Sequence, residues 1–263
     1  MGSFRGATAV QRVEEGRYSA VLDADYGFDE ALNGGYLMAV LARAALEASA
    51  HPHPIATSTN FLRVVKPGRA EVQVESRKSG RTADVARVTL VQDDRPVVEA
   101  LVTTGTLDGE AEPVYSPPIE ELAPVGECVT FDVGNPDRGF ATRVDMRYDR
   151  ATMGWLDGQP SGTPEMRAYF RLRETYEPDG VLLALAVDAL PPVVLNTGAY
   201  GWAPTVELTW HMRAVPASGW LALHGRGRLV SDGWFDEEVE VWDSAGKLVA
   251  QSRQIARSGR NRH

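Results

Sequence analysis

Two polar side chains in the second half of the chain stand where an earlier copy of the same sequence unit has apolar or small ones. Asp188 aligns with Met38 or Ala39, and Gln254 aligns with Thr104. A carboxylate can accept a proton from water, and an amide can hold that water through hydrogen bonds. The asymmetry predicts one half that activates water and one half that serves as a scaffold.

The repeat is carried by two runs of strand-like sequence. The first contains TNFLRVVKPG and VVEALVTTGT, and the second contains ELTWHMRAVP and LVAQSRQIA. Pro67 falls on Pro216 and Ala100 falls on Ala250, which is an offset of about 150 residues at both points. An apolar stretch of helical character precedes each run, so each copy is predicted to contain one helix followed by four strands.

Capping and breaking residues set the bounds of these elements. Asn33 is predicted to cap a first helix that HPHP at residues 51–54 ends, and a second helix is predicted at residues 180–190, before two prolines. Strands are predicted at residues 17–25, 57–65, 69–77, 82–92, 96–106, 140–148, 166–174, 205–213, 220–230, 234–243 and 247–257. A segment rich in proline and acid separates residues 1–108, the first domain, from residues 131–263, the second, with a linker at 109–130.

Composition narrows the class of protein. A net charge of -9 offers no basic face to nucleic acid. No apolar run reaches the roughly 18 residues of a membrane span, and the N-terminus lacks the apolar segment of a signal peptide. Cys128 is the only cysteine, which fits a reducing compartment. We therefore expect a cytoplasmic protein without a cofactor or a metal site.

The order of elements predicts an α+β fold. A helix that is apolar on all sides must be enclosed, and one antiparallel sheet that curls around it does so. This arrangement is a hotdog domain, and two copies in tandem make a double hotdog. Pairing of the two sheets at one edge is expected to join the halves. The apolar surface that remains predicts a homo-oligomer, a dimer of double hotdogs.

Several motifs between about residues 18 and 256 are specific enough to compare with known families. They are VDALPPVVL, PTVELTWHMR and DSAGKLVAQSRQIA in the second half, and LNGGYLMAVLARAAL and NFLRVVKPG in the first. Through these motifs the chain resembles the acyl-CoA thioesterase II family. The resemblance implies an enzyme of lipid metabolism that hydrolyses acyl-CoA to free acid and CoA. It also implies that Asp188, Thr205 and Gln254 hold the hydrolytic water.

The chemistry of these residue types agrees with that implication. Asp188 can accept the proton of water, while the Thr205 hydroxyl and the Gln254 amide orient the water toward a thioester carbonyl. Burial late in an apolar helix would raise the pKa of Asp188 toward that of a useful base. The same carboxylate could instead attack the thioester and form an anhydride, and the sequence leaves both routes open.

Gly34, Gly35 and Tyr36 are predicted to bind substrate. Amide groups at a helix N-terminus suit a carbonyl oxygen or an oxyanion, and Tyr36 could line the acyl pocket. The alternatives are that the glycines only let the helix approach a neighbour closely and that Tyr36 belongs to the core.

Other types of site find little support. The sequence has no G-x-S-x-G and no H-E-x-x-H, and His51 and His53 lie in a proline-bound loop. The predicted helix at residues 180–190 lacks the histidine of hotdog hydratases, and the acidic run at 232–240 is predicted to be a solvated strand face. An acyl-thioester-binding or biosynthetic protein without simple hydrolysis is the alternative function. Acyl chain length and the carrier, CoA or acyl carrier protein, stay open.

Overall fold

Three α-helices and fifteen strands make up the fold of the described residues. The computed structural model describes residues 2–28, 31–119, 122–131 and 139–259. The helices are α1 (Phe4–Ala7), α2 (Gly34–Glu47) and α3 (Gly180–Ala186). The strands of the first half are β1 (Val10–Glu14), β2 (Arg17–Leu22), β3 (Gly27–Phe28), β4 (Ala31–Leu32), β5 (His53–Phe61), β6 (Gly68–Lys78), β7 (Ala83–Gln92) and β8 (Arg95–Gly105). Those of the second half are β9 (Val144–Tyr148), β10 (Glu165–Leu172), β11 (Thr205–Met212), β12 (Leu221–Arg226), β13 (Val230–Ser231), β14 (Trp234–Trp242) and β15 (Leu248–Arg257).

One antiparallel sheet runs through both halves. Its order is β1-β2-β6-β7-β8-β5-β11-β15-β14-β12-β10-β9, with β13 on β14, while β3 and β4 form a separate pair. The halves join where β5 pairs with β11, for example at Thr209 and Ser58. Six strands follow outward from this joint on each side in matching order. The predicted double hotdog, with one sheet joined at an edge, is therefore confirmed.

Side-chain caps fix the start of both central helices. The Asn33 Oδ1 accepts a hydrogen bond of 2.9 Å from the Tyr36 amide, as predicted, and Asp179 caps α3 through the amide of Leu182 at 2.8 Å. All seven residues of α3 are buried, and so are ten of the fourteen in α2. These helices therefore form the apolar centre around which the sheet curls.

The second helix ends earlier than predicted, and this changes the setting of Asp188. The last residue of α3 is Ala186, and the amide of Asp188 donates to the carbonyl of Leu185 at 3.2 Å, three residues back. Such a tightened last turn is a common way to end a helix. Asp188 therefore lies in a turn beyond the helix rather than within it.

Pairing in the structure also corrects the alignment of the two copies. The two residues that follow β5, Leu62 and Arg63, both donate to the carbonyl of Val97. In the same way, the two residues that follow β11, Arg213 and Ala214, both donate to the carbonyl of Val249. Val97 lies in β8 and Val249 in β15, so the offset between these two strands is 249 − 97 = 152, rather than about 150.

The revised offsets change the counterparts of both polar residues. Gln254 corresponds to Val102, since 254 − 152 = 102, rather than to Thr104. The caps Asn33 and Asp179 give an offset of 146 for the helices, which pairs Asp188 with Ala42 rather than Met38 or Ala39. Val102 and Ala42 are both buried and apolar, so the asymmetry between the copies remains.

The N-terminal segment binds the second half of the chain. The amide of Phe4 donates to Glu174 Oε1 at 2.7 Å, and the buried Arg143 binds Asp23 and Asp25 at 3.1 and 2.7 Å.

Sequence periodicity missed α1, β1, β3, β4 and β13 because they are short or, as in β1, mostly exposed. The proposed domain limits at residues 108 and 131 stay a prediction. No helix in the described ranges is long and apolar enough to cross a membrane.

Candidate active site

Asp188 lies between the end of α3 and the start of α2. Its Oδ2 accepts a hydrogen bond of 2.7 Å from the Gly35 amide and one of 3.3 Å from Asn33 Nδ2, which also donates to the Asp188 carbonyl at 3.0 Å. Among the described residues no hydrogen bond ends on Oδ1, so this oxygen is the one that can accept a proton from water. Both donors belong to the first half, which is therefore more than a scaffold.

The glycine pair has two different roles in this contact. A Cβ on Gly35 would come within 2.8 Å of the Leu185 carbonyl and 2.9 Å of the Ala184 carbonyl, so the helices cross closely only because Gly35 has no side chain. Its amide is directed at Asp188 and not at a separate oxyanion position. Gly34 lines a cavity that lies next to this contact, and a Cβ on Gly34 would come within 2.8 Å of Asp188 Oδ2.

Tyr36 faces the core, the alternative that the sequence left open. Its hydroxyl donates to the Ala7 carbonyl at 2.7 Å and accepts from the Asp23 amide at 3.0 Å, and its ring stacks on Tyr26. Burial raises the pKa of Tyr36 to about 12. The cavity wall formed by the described residues includes neither Tyr36 nor Gly35. Tyr36 therefore secures the N-terminal segment against α2.

A bulge in β11 places Thr205 on the same face of the sheet as Gln254. Leu208 pairs with Gln254, but Thr205 pairs with Ala256, so the two residues Thr205 and Val206 oppose one residue of β15. Without this extra residue, strict alternation would direct Thr205 to the opposite face. The Thr205 hydroxyl and Gln254 Oε1 are instead 2.5 Å apart.

The hydrogen-bond chain continues from Gln254 to Glu237 on the next strand. Gln254 Nε2 donates to Glu237 Oε1 at 3.1 Å, and the Val193 amide donates to Glu237 Oε2 at 2.9 Å. Only 2 % of the Glu237 surface is exposed. Thr205, Gln254 and Glu237 thus form a connected polar row across three neighbouring strands, β11, β15 and β14.

Burial shifts the pKa of both acids in the site. It raises the pKa of Asp188 to about 6, although the Gly35 amide and Asn33 stabilise the carboxylate and oppose the rise. It raises the pKa of Glu237 to about 8, and the nearby Asp188 charge adds to that rise. At neutral pH, Asp188 is therefore mostly ionised and Glu237 mostly protonated. A carboxylate with a pKa near neutrality suits general base catalysis.

The polar groups open into a cavity of about 660 Å³ with mostly apolar walls. Asp188, Thr205, Gln254 and Glu237 all contribute to its lining. Aromatic side chains from both halves form much of the remaining wall: Phe28, Phe61, Phe131, Phe140, Tyr148, Trp155, Trp202 and Phe235. The cavity can therefore enclose an apolar group while a polar reacting bond lies against the acids. Within the described ranges, no three His, Cys, Asp or Glu side chains are grouped as metal ligands.

Sequence reasoning missed two residues of this site. Asn33 was predicted as a cap only, and its amide also holds Asp188. Glu237 was assigned to a solvated strand face, and that prediction is wrong because Asp236 and Glu237 are both buried. The signal was available, since Glu237 alternates in phase with the buried Phe235 and Val239.

The fold and comparisons with known proteins define the class, a double hotdog protein with thioesterase domains. A family described as acyl-CoA thioesterase N-terminal domain matches residues 22–105, and one described as acyl-CoA thioesterase C-terminal domain matches residues 120–257. The chain therefore belongs to the acyl-CoA thioesterase family. The resemblance inferred from its sequence motifs is confirmed.

Individual proteins are similar to the chain in sequence, in fold or in both. A Thermobifida fusca structure assigned as a thioesterase II is 44% identical, with a TM-score of 0.93 over 99% of this chain and 98% of that one. A hot dog fold protein of unknown function from Alicyclobacillus acidocaldarius is 21% identical, with a TM-score of 0.86 over 99% of both chains. An uncharacterized Mycobacterium tuberculosis protein is 32% identical over 86% of this chain and 85% of its own.

Proposed function

We propose that the chain hydrolyses acyl-CoA thioesters to a free acid and CoA, with a water molecule held by Asp188, Thr205 and Gln254. The observation that carries the proposal is the placement of a carboxylate with a raised pKa beside a polar row at an apolar cavity. The acyl group would occupy the cavity, and the thioester carbonyl would lie against the polar groups. Membership of the acyl-CoA thioesterase family supports the substrate class.

The reaction needs one proton acceptor and donors for the developing charge. Asp188 Oδ1 takes a proton from water as the water oxygen bonds to the thioester carbon. The tetrahedral intermediate then breaks its carbon–sulfur bond, and the leaving thiolate takes the proton from Asp188. Thr205 and Gln254 hold the attacking water in line with the carbonyl during the first step.

The proposal also covers the setting of the reaction. A cytoplasmic location is supported by the single cysteine of the sequence, Cys128, which cannot form an intrachain disulfide. A role in lipid metabolism follows from the acyl-CoA substrate. A homo-oligomer is supported by exposed apolar side chains such as Trp202, which is 61% exposed at the cavity.

Release of thiol from a panel of acyl-CoA esters tests the function. We expect hydrolysis of at least one class of acyl group, because the cavity and the acids are assembled in one place. The panel should include straight, branched and aromatic acyl groups on CoA, and the same groups on acyl carrier protein. Tight binding of the esters without thiol release would instead favour the acyl-thioester-binding alternative.

Oxygen labelling distinguishes the general base from the nucleophile. In a single turnover in ¹⁸O-water, a general base leaves label only in the released acid, and this is the result that we expect. An anhydride on Asp188 can be opened at either carbonyl and so can leave label in Asp188. Mass spectrometry of the peptide that contains Asp188 measures this, with enzyme kept in ¹⁸O-water without substrate as the control. Label in Asp188 that depends on turnover would contradict the general base.

A further inference from the structure

Glu237 is a buried acid that the hydrolysis described above does not use. It lies on β14 directly opposite Gln254 on β15, with both of its oxygens bonded to N–H groups. Among the described residues, only Gln254 is hydrogen-bonded to both Glu237 and the Thr205 hydroxyl. Gln254 is therefore the route by which a change in the hydrogen bonding of Glu237 can reach Thr205 at the cavity.

One of the two donors to Glu237 cannot change direction. The Val193 amide belongs to the backbone, at the start of a short 3₁₀ turn (Val193–Thr197), and always donates. The turn lies close against β12 because Gly225 has no side chain; a Cβ there would come within 2.8 Å of Leu190 and 3.2 Å of Val193. Glu237 Oε2 is therefore a fixed acceptor.

We propose that Glu237 is a positioning residue whose protonation, relayed through the Gln254 amide, sets the direction of the Thr205 hydroxyl. When Glu237 is ionised, Thr205 donates to Gln254 Oε1 and Gln254 Nε2 donates to Glu237 Oε1. When Glu237 is protonated, its proton must lie on Oε1, because Oε2 faces the Val193 N–H. Gln254 must then present its oxygen to Glu237 and its NH₂ group to Thr205.

The reversed chain changes what Thr205 offers to the cavity. An amide reverses by rotation about its last side-chain bond, and the Thr205 contact lengthens slightly to accommodate nitrogen. With its oxygen accepting from Gln254, the Thr205 hydroxyl directs its hydrogen into the cavity. This hydrogen can hold a lone pair of the attacking water or the developing oxyanion. In the ionised form that donor is turned away from the reaction.

The surroundings of Glu237 determine when the reversal occurs. Two acids act on it, Asp188 from the turn after α3 and Asp236 beside it on β14, and both oppose its ionisation. On the same face, β12 contributes Gly225, while Arg253 of β15 pairs with Glu238 on the opposite face. Arg253 Nη2 lies 3.8 Å from Asp236 Oδ2, but among the described residues no basic side chain acts on Glu237 itself. With the pKa of Glu237 raised to about 8, the protonated form is the working form at neutral pH.

The inference rests on the proposed function and predicts two limbs in the pH profile of turnover. Turnover should rise with pH near 6 as Asp188 ionises and should fall by about tenfold or more near 8, since one lost transition-state donor has a cost of this order or larger. Glu237→Gln keeps an acceptor for the Val193 amide and a permanent donor toward Gln254. We expect this variant to keep the limb near 6 and to lose the limb near 8.

Two further variants distinguish a positioning role of Glu237 from a purely structural one. Glu238→Gln makes the same change on the next residue of β14, at a side chain bonded to Arg228 on the opposite face, and should keep both limbs. Glu237→Leu leaves the Val193 amide and Gln254 without their partner, and we expect lower turnover at every pH, which Gln at this position partly restores. Thermal unfolding shows whether each variant is folded. A limb near 8 that persists in Glu237→Gln would overturn the inference.

A readout that does not depend on turnover keeps the two proposals distinct. In ¹⁵N-labelled protein, the side-chain amide signal of Gln254, assigned by its loss in Gln254→Met, should shift as the pH passes through about 8. The signal should stay in place in Glu237→Gln. A stationary signal in the unmodified protein would overturn the relay even if thioesters are hydrolysed. A shifting signal without any thioester hydrolysis would support the relay and refute the proposed function.

Discussion

Asp188→Asn is expected to lower the turnover of acyl-CoA esters by about a hundredfold or more, because a general base contributes rate factors of this size. Asparagine has nearly the same shape and can still accept the hydrogen bond that the Gly35 amide now gives to Oδ2. It cannot take a proton from water. The variant should therefore fold normally and bind substrate while the chemical step is lost.

The experiment compares kcat, KM and unfolding in urea for this variant and for Asp157→Asn. Asp157 is an exposed aspartate on a short 3₁₀ turn, and its replacement should leave turnover unchanged. Loss of the charge at Asp188 should also lower the pKa of Glu237, since that charge opposes the ionisation of Glu237. Full activity of Asp188→Asn would exclude Asp188 as base and as nucleophile.

The sequence predicted the architecture because local signals and the repeat agreed. The N-cap at Asn33, the four strands after each helix and the apolar helices all match the structure, with ends displaced by a few residues. The alignment of the copies was wrong by two to four positions because the helices differ in length and the strands contain irregularities. These features depend on how the elements pack rather than on periodicity.

The site was less accessible to sequence reasoning, for reasons that differ between residues. Thr205 was identified through family resemblance alone, because the bulge at Val206 that turns it toward Gln254 leaves no trace in strand alternation. Asp188 was placed on a helix that ends two residues earlier. Glu237 was overlooked because its acidic neighbours resemble a solvated face, although its phase is that of the buried residues.

The role of Gly35 shows how one small residue joins the fold to the chemistry. Its missing side chain allows α2 to meet the carbonyls at the end of α3, and its amide stabilises the Asp188 carboxylate. The second effect requires the first, since the 2.7 Å hydrogen bond exists only at this close approach. A change that separates the helices should therefore affect stability and the pKa of Asp188 together.

Gly35→Ala is expected to destabilise the protein by about 1–3 kcal/mol, the usual cost of forcing extra atoms into a packed site. Helix propensity alone would give the opposite sign, because Ala is favoured over Gly by about 1 kcal/mol within a helix. The added Cβ would lie 2.8 and 2.9 Å from two backbone carbonyls and 3.0 Å from Asp188 Cβ, and the buried α3 has little room to move. Packing should therefore outweigh propensity.

The same substitution should lower turnover by about tenfold or more, because a displacement of about 1 Å at a reacting group can cost as much as a hundredfold. A longer Gly35–Asp188 hydrogen bond also removes an interaction that lowers the pKa of the carboxylate, so the limb near pH 6 should move to higher pH. Gly126→Ala is the matched control, since its added Cβ would meet nothing within 4 Å. Urea unfolding and the pH profile of turnover measure both effects. A Gly35→Ala protein that gains stability and keeps its limb near 6 would show that the close approach of the helices does not position the base.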